Sequence, residues 1–222
     1  MRYQLIQTDT RVELQDTHDP LVHPVFVDFV EGKTRHRLNF GGGKGQAIAK
    51  AIGLHKRKNP RVVDATAGLG RESFVLASLG CHVTLLERNP VVYALLADGL
   101  LRANQSEDIK LQSIIARMTL IKADARQWLK NINSDNKPDV IYLDPMFPKR
   151  QKSALVQKEM RFFHEVVGND QDSEELLTVA RCSARHRIVV KRPSDAPELA
   201  MIKPAFIIHG KTTRYDVYLP DQ

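Results

Sequence analysis

The sequence predicts an α/β domain built on a doubly wound, mostly parallel sheet, and three features of the 222-residue chain predict it. From Arg61 onward, short β-rich runs alternate with segments of helical spacing, the pattern of strand–helix–strand units. The joints carry matching punctuation: Gly68 and Gly70 after the first run, Gly80 after the next helix, and Asn89-Pro90 where another helix opens. Two apolar runs near the C-terminus, 205–209 and 215–219, flank a glycine-containing stretch short enough for a hairpin, so the last strand is expected to be antiparallel.

Taken in order, residues 61–64 form the first strand, 72–79 a helix stopped by Gly80, and 82–87 the second strand. Pro90 suits a first helical turn, and Val91, Val92, Leu95, Leu96 and Leu100 follow at helical spacing. Residues 118–122 and 139–143 give the third and fourth strands, 174–184 a helix, and 186–190 the fifth strand; with the C-terminal pair the sheet has seven. Stretches 104–117 and 131–137 read as connections. Before Arg61 the pattern differs. Residues 25–30 and 33–40, around Glu31-Gly32, read as a β-hairpin, followed by Gly41-Gly42-Gly43-Lys44-Gly45 and a helix starting at 46–52. Residues 1–60 are therefore expected to be an N-terminal extension packed on a main domain of residues 61–222.

An apolar content of 42% with 27% charged residues argues against a disordered or fibrous chain. No apolar run approaches the length of about 18 residues that a membrane span needs, and the N-terminus lacks a signal peptide's apolar core. A cytosolic protein is expected. Cys81 and Cys182 are too few for a disulfide framework and too far apart for a metal knuckle; they read as buried packing residues, and the histidines show no metal-ligand spacing. No metal is expected. The net charge of +7 favours a polyanionic partner, because each phosphate neutralised releases a condensed counterion. The basic residues cluster at Lys33, Arg35, His36 and Arg37, at 55–58, at Lys149, Arg150 and Lys152, and from Arg185 to Arg192.

The chemistry concentrates at the carboxyl ends of the strands, the rim where such folds bind ligands. Val62-Val63-Asp64-Ala65-Thr66-Ala67-Gly68-Leu69-Gly70 is a strand ending in an acid, then a small-residue loop, then a helix N-terminus. Gly68-Leu69-Gly70-Arg71-Glu72-Ser73 is a near miss to the dinucleotide fingerprint, with Ser73 in the third glycine's place. Asp64 at the loop entrance would repel a pyrophosphate but attract the ammonium and sulfonium of S-adenosylmethionine (SAM), so electrostatics favours SAM. Glu87, ending the second strand, is placed to chelate two ribose hydroxyls, a feature that NAD and SAM share. Asp124, ending the third, is placed to accept an adenine amino group. Asp144-Pro145-Met146-Phe147 ends the fourth and resembles the (Asn/Asp)-Pro-Pro-(Tyr/Phe/Trp) motif of amino-methyltransferases, with Met146 for the second proline. In that motif a carboxylate and the Pro145 carbonyl accept the two N–H bonds of an exocyclic amine, and Phe147 stacks on the base. Lys149, Arg150 and Lys152, just beyond, and Lys191 and Arg192, ending the fifth strand, are candidates to hold RNA phosphates. The glycine-rich stretch is not a P-loop; it either bends over the SAM carboxylate with Lys44 as counter-charge or is a plain turn.

Phe26-Val27-Asp28-Phe29, Phe40-Gly41-Gly42-Gly43, the 63–71 loop, Leu86-Glu87-Arg88-Asn89-Pro90, Tyr142-Leu143-Asp144-Pro145-Met146-Phe147-Pro148, Lys152-Ser153-Ala154-Leu155-Val156, Lys158-Glu159-Met160-Arg161 and Val190-Lys191-Arg192-Pro193 together resemble the bacterial small-subunit rRNA guanine-N2 methyltransferase J family. The match runs in order from about Val25 to the C-terminus. The resemblance implies a class I, Rossmann-like methyltransferase fold and transfer of a methyl group from SAM to the N2 amine of one guanosine in 16S rRNA, leaving S-adenosylhomocysteine (SAH). It implies SAM contacts at Arg71-Glu72, Glu87-Arg88, Asp124-Ala125 and Asp144, beside Asp64, Gly68 and Gly70 of the loop. The family often has Asp where this chain has Glu72, and some members have Ser at position 124. The expected partner is 16S rRNA or the small ribosomal subunit, met by a monomer. An adenine-N6 enzyme shares the four-residue motif, an NAD(P)-dependent oxidoreductase shares the near-fingerprint, and a non-catalytic RNA-binding protein shares the charge.

Overall fold

A computed structural model of the chain describes residues 2–19, 22–31, 43–146, 172–210 and 212–221, Lys44 by its backbone only. The chain opens with an antiparallel hairpin, β1 (Tyr3–Gln7) and β2 (Val12–Asp16), in register Tyr3 to Asp16 and Gln7 to Val12. An N-terminal hairpin is thus present, in residues that the sequence reading left unassigned. Of the expected strand at 25–30, only Val25 pairs, through a bridge to Leu14; its proposed partner, 33–40, lies outside the described residues. The alternating Val25, Val27 and Phe29 are buried, Val27 beside Gly99 and the Phe29 ring stacked on Phe74 at 5.0 Å. Helix α1 (Ala47–Ile52) follows, ended by Gly53 in the left-handed conformation.

The sheet then builds from β3 (Arg61–Asp64), α2 (Arg71–Ser78), β4 (His82–Glu87), α3 (Pro90–Asn104), α4 (Ile109–Ile115), β5 (Met118–Lys122), α5 (Ala125–Lys130), β6 (Val140–Leu143), α6 (Ser173–Ser183), β7 (Arg187–Pro193), β8 (Phe206–His209) and β9 (Thr213–Tyr218). Its spatial order is β5-β4-β3-β6-β7-β9-β8. Strands β3 to β7 pair in parallel, while β9 runs antiparallel to both β7 and β8 and lies between them. This is the expected seven-stranded, mostly parallel sheet with an antiparallel last strand. Every residue of β6 is buried, as a central parallel strand covered on both faces requires.

Helix starts follow local chemistry. The Asn89 side chain accepts from the Val91 and Val92 amides at 2.9 and 3.2 Å, with Pro90 in the first turn. Helix α4 falls in a stretch expected to be a connection. Asp108 caps it through the Leu111 amide at 3.0 Å, and Leu111, Ile114 and Ile115 bury its inner face. Two turns of helix behind polar residues give too short a periodicity to recognise. Cys81 is buried as expected, whereas Cys182 is exposed. Among the described residues, no helix is long and apolar enough to cross a membrane.

Two apolar layers sandwich the sheet. Phe29, Ile48, Ile52, Phe74, Leu95 and Leu96 fill one side, and Leu129, Ile141, Leu177 and Ile188 the other. Strand order reverses at β3, between β4 and β6, so a crevice opens beyond the carboxyl ends of β3 and β6. Gly99 on α3 lets residue 27 approach: a Cβ there would lie 2.5 Å from Val27 Cγ1 and 3.0 Å from its carbonyl oxygen. Gly99→Ala gains about 1 kcal/mol of helix propensity but meets overpacking of about 1–3 kcal/mol. A net loss of up to about 2 kcal/mol is expected in urea unfolding; a stabilised variant would mean that the 25–29 segment moves aside at no cost.

Candidate active site

The crevice is a cleft of about 620 Å³ bordered by the ends of β3, β4, β6 and β7, by α2 and by the start of α5. The volume suits a nucleoside-sized ligand. Its floor is the loop from Asp64 to Gly70, held from inside by Asp64. That carboxylate, 2% exposed, accepts from the Ser73 hydroxyl at 2.5 Å and the Thr66 amide at 3.1 Å. The fingerprint's third glycine is thus replaced by a residue with a task, securing the acid at the loop entrance. Gly68 and Gly70 sit at φ +52° and +70°, and a Cβ on Gly70 would come within 2.7 Å of Leu96 Cδ1. Burial raises the Asp64 pKa to about 7; the Ser73 and Thr66 hydrogen bonds oppose this, and Asp144 and Glu72 nearby add to it.

Glu87 closes the next strand with both oxygens fixed, Oε1 by the Asn89 amide at 2.7 Å and Oε2 by the Gly68 amide at 3.0 Å. It borders the cleft, with Arg71, Glu72, Arg88 and Ala125. At the end of β5, Asp124 caps α5 through the Arg126 amide at 2.9 Å, and Arg126 grips the same carboxylate at 2.8 and 3.1 Å. That side-chain pairing above all holds Asp124 down at about 2, although partial burial pulls the other way. Arg126 also reaches Asp172 at 3.1 Å and Glu175 at 2.8 Å, while Arg88 pairs with Asp172 and lies 3.6 Å from Asp124. The sequence reading missed Arg126, Asp172 and Glu175. A charged residue two positions after Asp124 was a faint signal, but nothing local announces that α6 supplies the two acids.

Asp144 leaves β6 with its backbone N–H donating to the Thr66 hydroxyl at 2.7 Å, which ties it to the loop after β3. Pro145 and Met146 continue along the cleft wall. Phe147, Lys149, Arg150 and Lys152 lie outside the described residues, as do Gly41, Gly42 and the Lys44 side chain. Lys191 is in the cleft, where its ammonium donates to Asp144 Oδ2 at 2.7 Å and Glu72 Oε1 at 3.0 Å. Burial alone would lower its pKa, but the two carboxylates outweigh that and hold it above the usual lysine range. Arg192 is a correction. It was expected on an RNA-facing rim, yet it is 3% exposed and its guanidinium donates to the Pro197 carbonyl. Lys191 turns its ammonium to Asp144 and Glu72, while Arg192 borders the same cleft with its guanidinium held on the Pro197 carbonyl. The Tyr142 hydroxyl, buried at the cleft, has no hydrogen-bond partner among the described residues.

Glu72 and Asp144, paired with Lys191, and Asp64 close to both acids make a floor that favours a ligand bringing positive charge. The ammonium and sulfonium of SAM fit that demand, and the Tyr142 hydroxyl offers it one more polar contact. The comparisons agree. Residues 1–220 match the family described as "Putative SAM-dependent methyltransferase". The "Ribosomal RNA small subunit methyltransferase J" of Tolumonas auensis is 54% identical over 98% of this chain and 86% of its own length. Its namesake in Pectobacterium atrosepticum is 52% identical over 97% and 86%. The chain belongs to the small-subunit methyltransferase J family. The methyltransferase also shares its fold with a SAM-dependent methyltransferase of Neisseria gonorrhoeae, at TM-score 0.75 and 39% identity over 95% of this chain and 80% of the other. It is a SAM-dependent enzyme, which sets aside the oxidoreductase and non-catalytic readings.

Asp64 gives this site a pH signature. Its folded pKa of about 7 lies above the ordinary 3.8, so its contribution to stability is full below about pH 4 and is lost as pH rises through 7. A cationic ligand nearby favours the ionised form and restores part of that loss. SAM, which brings both charges, is therefore expected to raise the melting temperature more at pH 8 than at pH 6, and the difference should vanish in Asp64→Asn. Equal shifts at both pH values in the wild type would remove Asp64 from cofactor recognition.

Proposed function

We propose that this methyltransferase transfers the methyl group of SAM to the exocyclic N2 amine of a guanosine in small-subunit (16S) rRNA. The observation that carries the reading is the 2.7 Å bond from the Asp144 amide to Thr66, which fastens the amine-binding motif to the loop of the cofactor cleft. Support for the RNA comes from the name of the J relatives and from the net charge of +7.

SAM supplies an electrophilic methyl group; the protein's part is to bind, orient and expose a lone pair. Glu87, fixed by two backbone amides, is placed to take the ribose hydroxyls, with Arg71, Glu72, Arg88, Gly68, Gly70 and Ala125 around the rest of the cofactor. Asp124 keeps its proposed role at the adenine amino group, since an ionised carboxylate has acceptor sites beyond those Arg126 uses. An exocyclic amine is a weak nucleophile because its lone pair is delocalised into the ring. With Asp144 and the Pro145 carbonyl accepting its two N–H bonds, the lone pair turns toward the methyl group, and the proton lost on N–C bond formation has Asp144 at hand. Stacking on Phe147 adds roughly 1–3 kcal/mol per base. The guanine must be unpaired or flipped out to reach this position. Lys149, Arg150 and Lys152 follow the motif closely enough in sequence to hold flanking phosphates. We take residues 1–60 as an extension of the 61–222 domain, a view supported by Phe29 and Ile48 sharing the core of the sheet. We place the enzyme in the cytosol, with the ribosomal RNA that its relatives are named for, and take it as a monomer.

Methyl transfer from labelled SAM to 16S RNA and to assembled small subunits, followed by nucleoside analysis, tests the reading. N2-methylguanosine is expected; N6-methyladenosine would favour the adenine alternative, and no transfer to either substrate would overturn the proposal. Asp144→Ala should bind SAM within a few-fold of wild type yet lose turnover by on the order of 100-fold or more; wild-type turnover would remove Asp144 from the chemistry. Charge reversal at Lys149 and Arg150 should raise the KM for RNA and flatten its salt dependence by about 0.7–0.9 in log–log slope for each phosphate lost. An unchanged slope would move the RNA path elsewhere.

A further inference from the structure

We propose that Lys191 is a positioning residue, holding the Asp144 carboxylate in line with the cofactor-side acid Glu72 so that the acceptor amine and the methyl donor meet in register. The inference rests on the reading of Asp144 given above. Its basis is geometric. The Lys191 ammonium bridges Asp144 Oδ2 at 2.7 Å and Glu72 Oε1 at 3.0 Å, joining the end of β6 to the first turn of α2. Its side chain is only 22% exposed, and its strand is flanked on both sides, by β6 and β9, with Lys191 in register with Tyr215. A lysine set this way spends its hydrogen bonds on two named acids.

The arrangement argues against the phosphate contact expected from sequence. A phosphate would be left the ammonium's one remaining N–H and would have to approach Asp64, Glu72 and Asp144 together, all anionic or able to become so. The ammonium does something else for Asp144. Among the described residues, the groups facing that carboxylate are Lys191 from β7, Glu72 from α2, Asp64 from the end of β3 and the buried Tyr142 of β6, itself beside Tyr215 of β9. Within that described set, Lys191 is the group that favours the ionised, hydrogen-bond-accepting form. Glu72 lies on the cofactor side of the same bridge, so a ligand that draws on Glu72 shifts the ammonium's share toward Asp144. Cofactor occupancy then readies the amine site.

The test uses Lys191→Met and Lys191→Arg in the full-length enzyme. The readouts are SAM affinity by calorimetry, the KM for RNA with its salt slope, and kcat against pH at saturating SAM. Lys191→Met is expected to bind SAM within about fivefold of wild type, to lose about 100-fold in kcat, and to show the acid limb of kcat moved up by about one pH unit. Lys191→Arg, which keeps the charge, should recover at least about tenfold of the lost kcat. Should the Met variant not fold, Lys191→Gln removes the charge while keeping a donor and is read the same way. Unchanged kcat and acid limb would overturn the proposal. So would a raised RNA KM with a flatter salt slope at unchanged kcat, which marks a phosphate contact, or a loss confined to SAM affinity. Asp144→Ala separates the two failures: an inactive Asp144→Ala beside a wild-type-like Lys191→Met sinks this inference alone, whereas an active Asp144→Ala sinks the reading beneath it.

Discussion

The loop that leaves β3 is secured from three directions, and the rest of the site is built around those attachments. From below, Ser73 on α2 and the loop's own Thr66 amide hold the Asp64 carboxylate. From β4, Glu87 accepts the Gly68 amide, and from β6, Asp144 donates its amide to the Thr66 hydroxyl. Each bond joins a residue that shapes the cofactor cleft to one that shapes the loop, so donor and acceptor sites share one backbone reference. Buried polar networks of this kind specify geometry when all their members are satisfied, and catalysis by placement depends on such tolerance.

The same acid type is tuned in opposite directions along the rim. Asp64, almost sealed from water, is pushed up to about 7, whereas Asp124, half open and clasped by Arg126, sits near 2. The first is a charge reserve under the end of the cleft that must receive a cation. The second stays ionised in any physiological buffer, anchored in the ring of Arg88, Arg126, Asp172 and Glu175 that links β4, α5 and α6. The ring is partly exposed, so it contributes more to orientation than to stability.

Most of the fold was legible in the sequence because parallel strands covered on both faces write themselves as short apolar runs, β6 being the clearest. The acids at the strand ends were legible because the topology sends every carboxyl end to one rim. What escaped notice depends on distance. The hairpin of Tyr3–Gln7 and Val12–Asp16 has a weak alternation and declares itself only through pairing, while the clearer alternation at 25–29 marks burial of Val25, Val27 and Phe29. Helix α4 was too short to show a period. Arg192 looked like its neighbour Lys191 in the sequence, yet its guanidinium is buried and spent on the Pro197 carbonyl, while the Lys191 ammonium reaches Asp144. The bridge from Lys191 to Glu72 spans most of the chain, and no local pattern encodes it.

The position of β9 bears on how the protein is made. It is the last strand of the sheet in sequence, yet it lies inside the sheet, between β7 and β8, and among the described residues β8 pairs with it alone. A nascent chain that has emerged only as far as Gly210 therefore carries a β8 with no partner and a β7 with one bare edge. Exposed edges of that kind invite pairing with other chains. On the ribosome, this end of the sheet stays open until residues 213–218 have emerged and can pair.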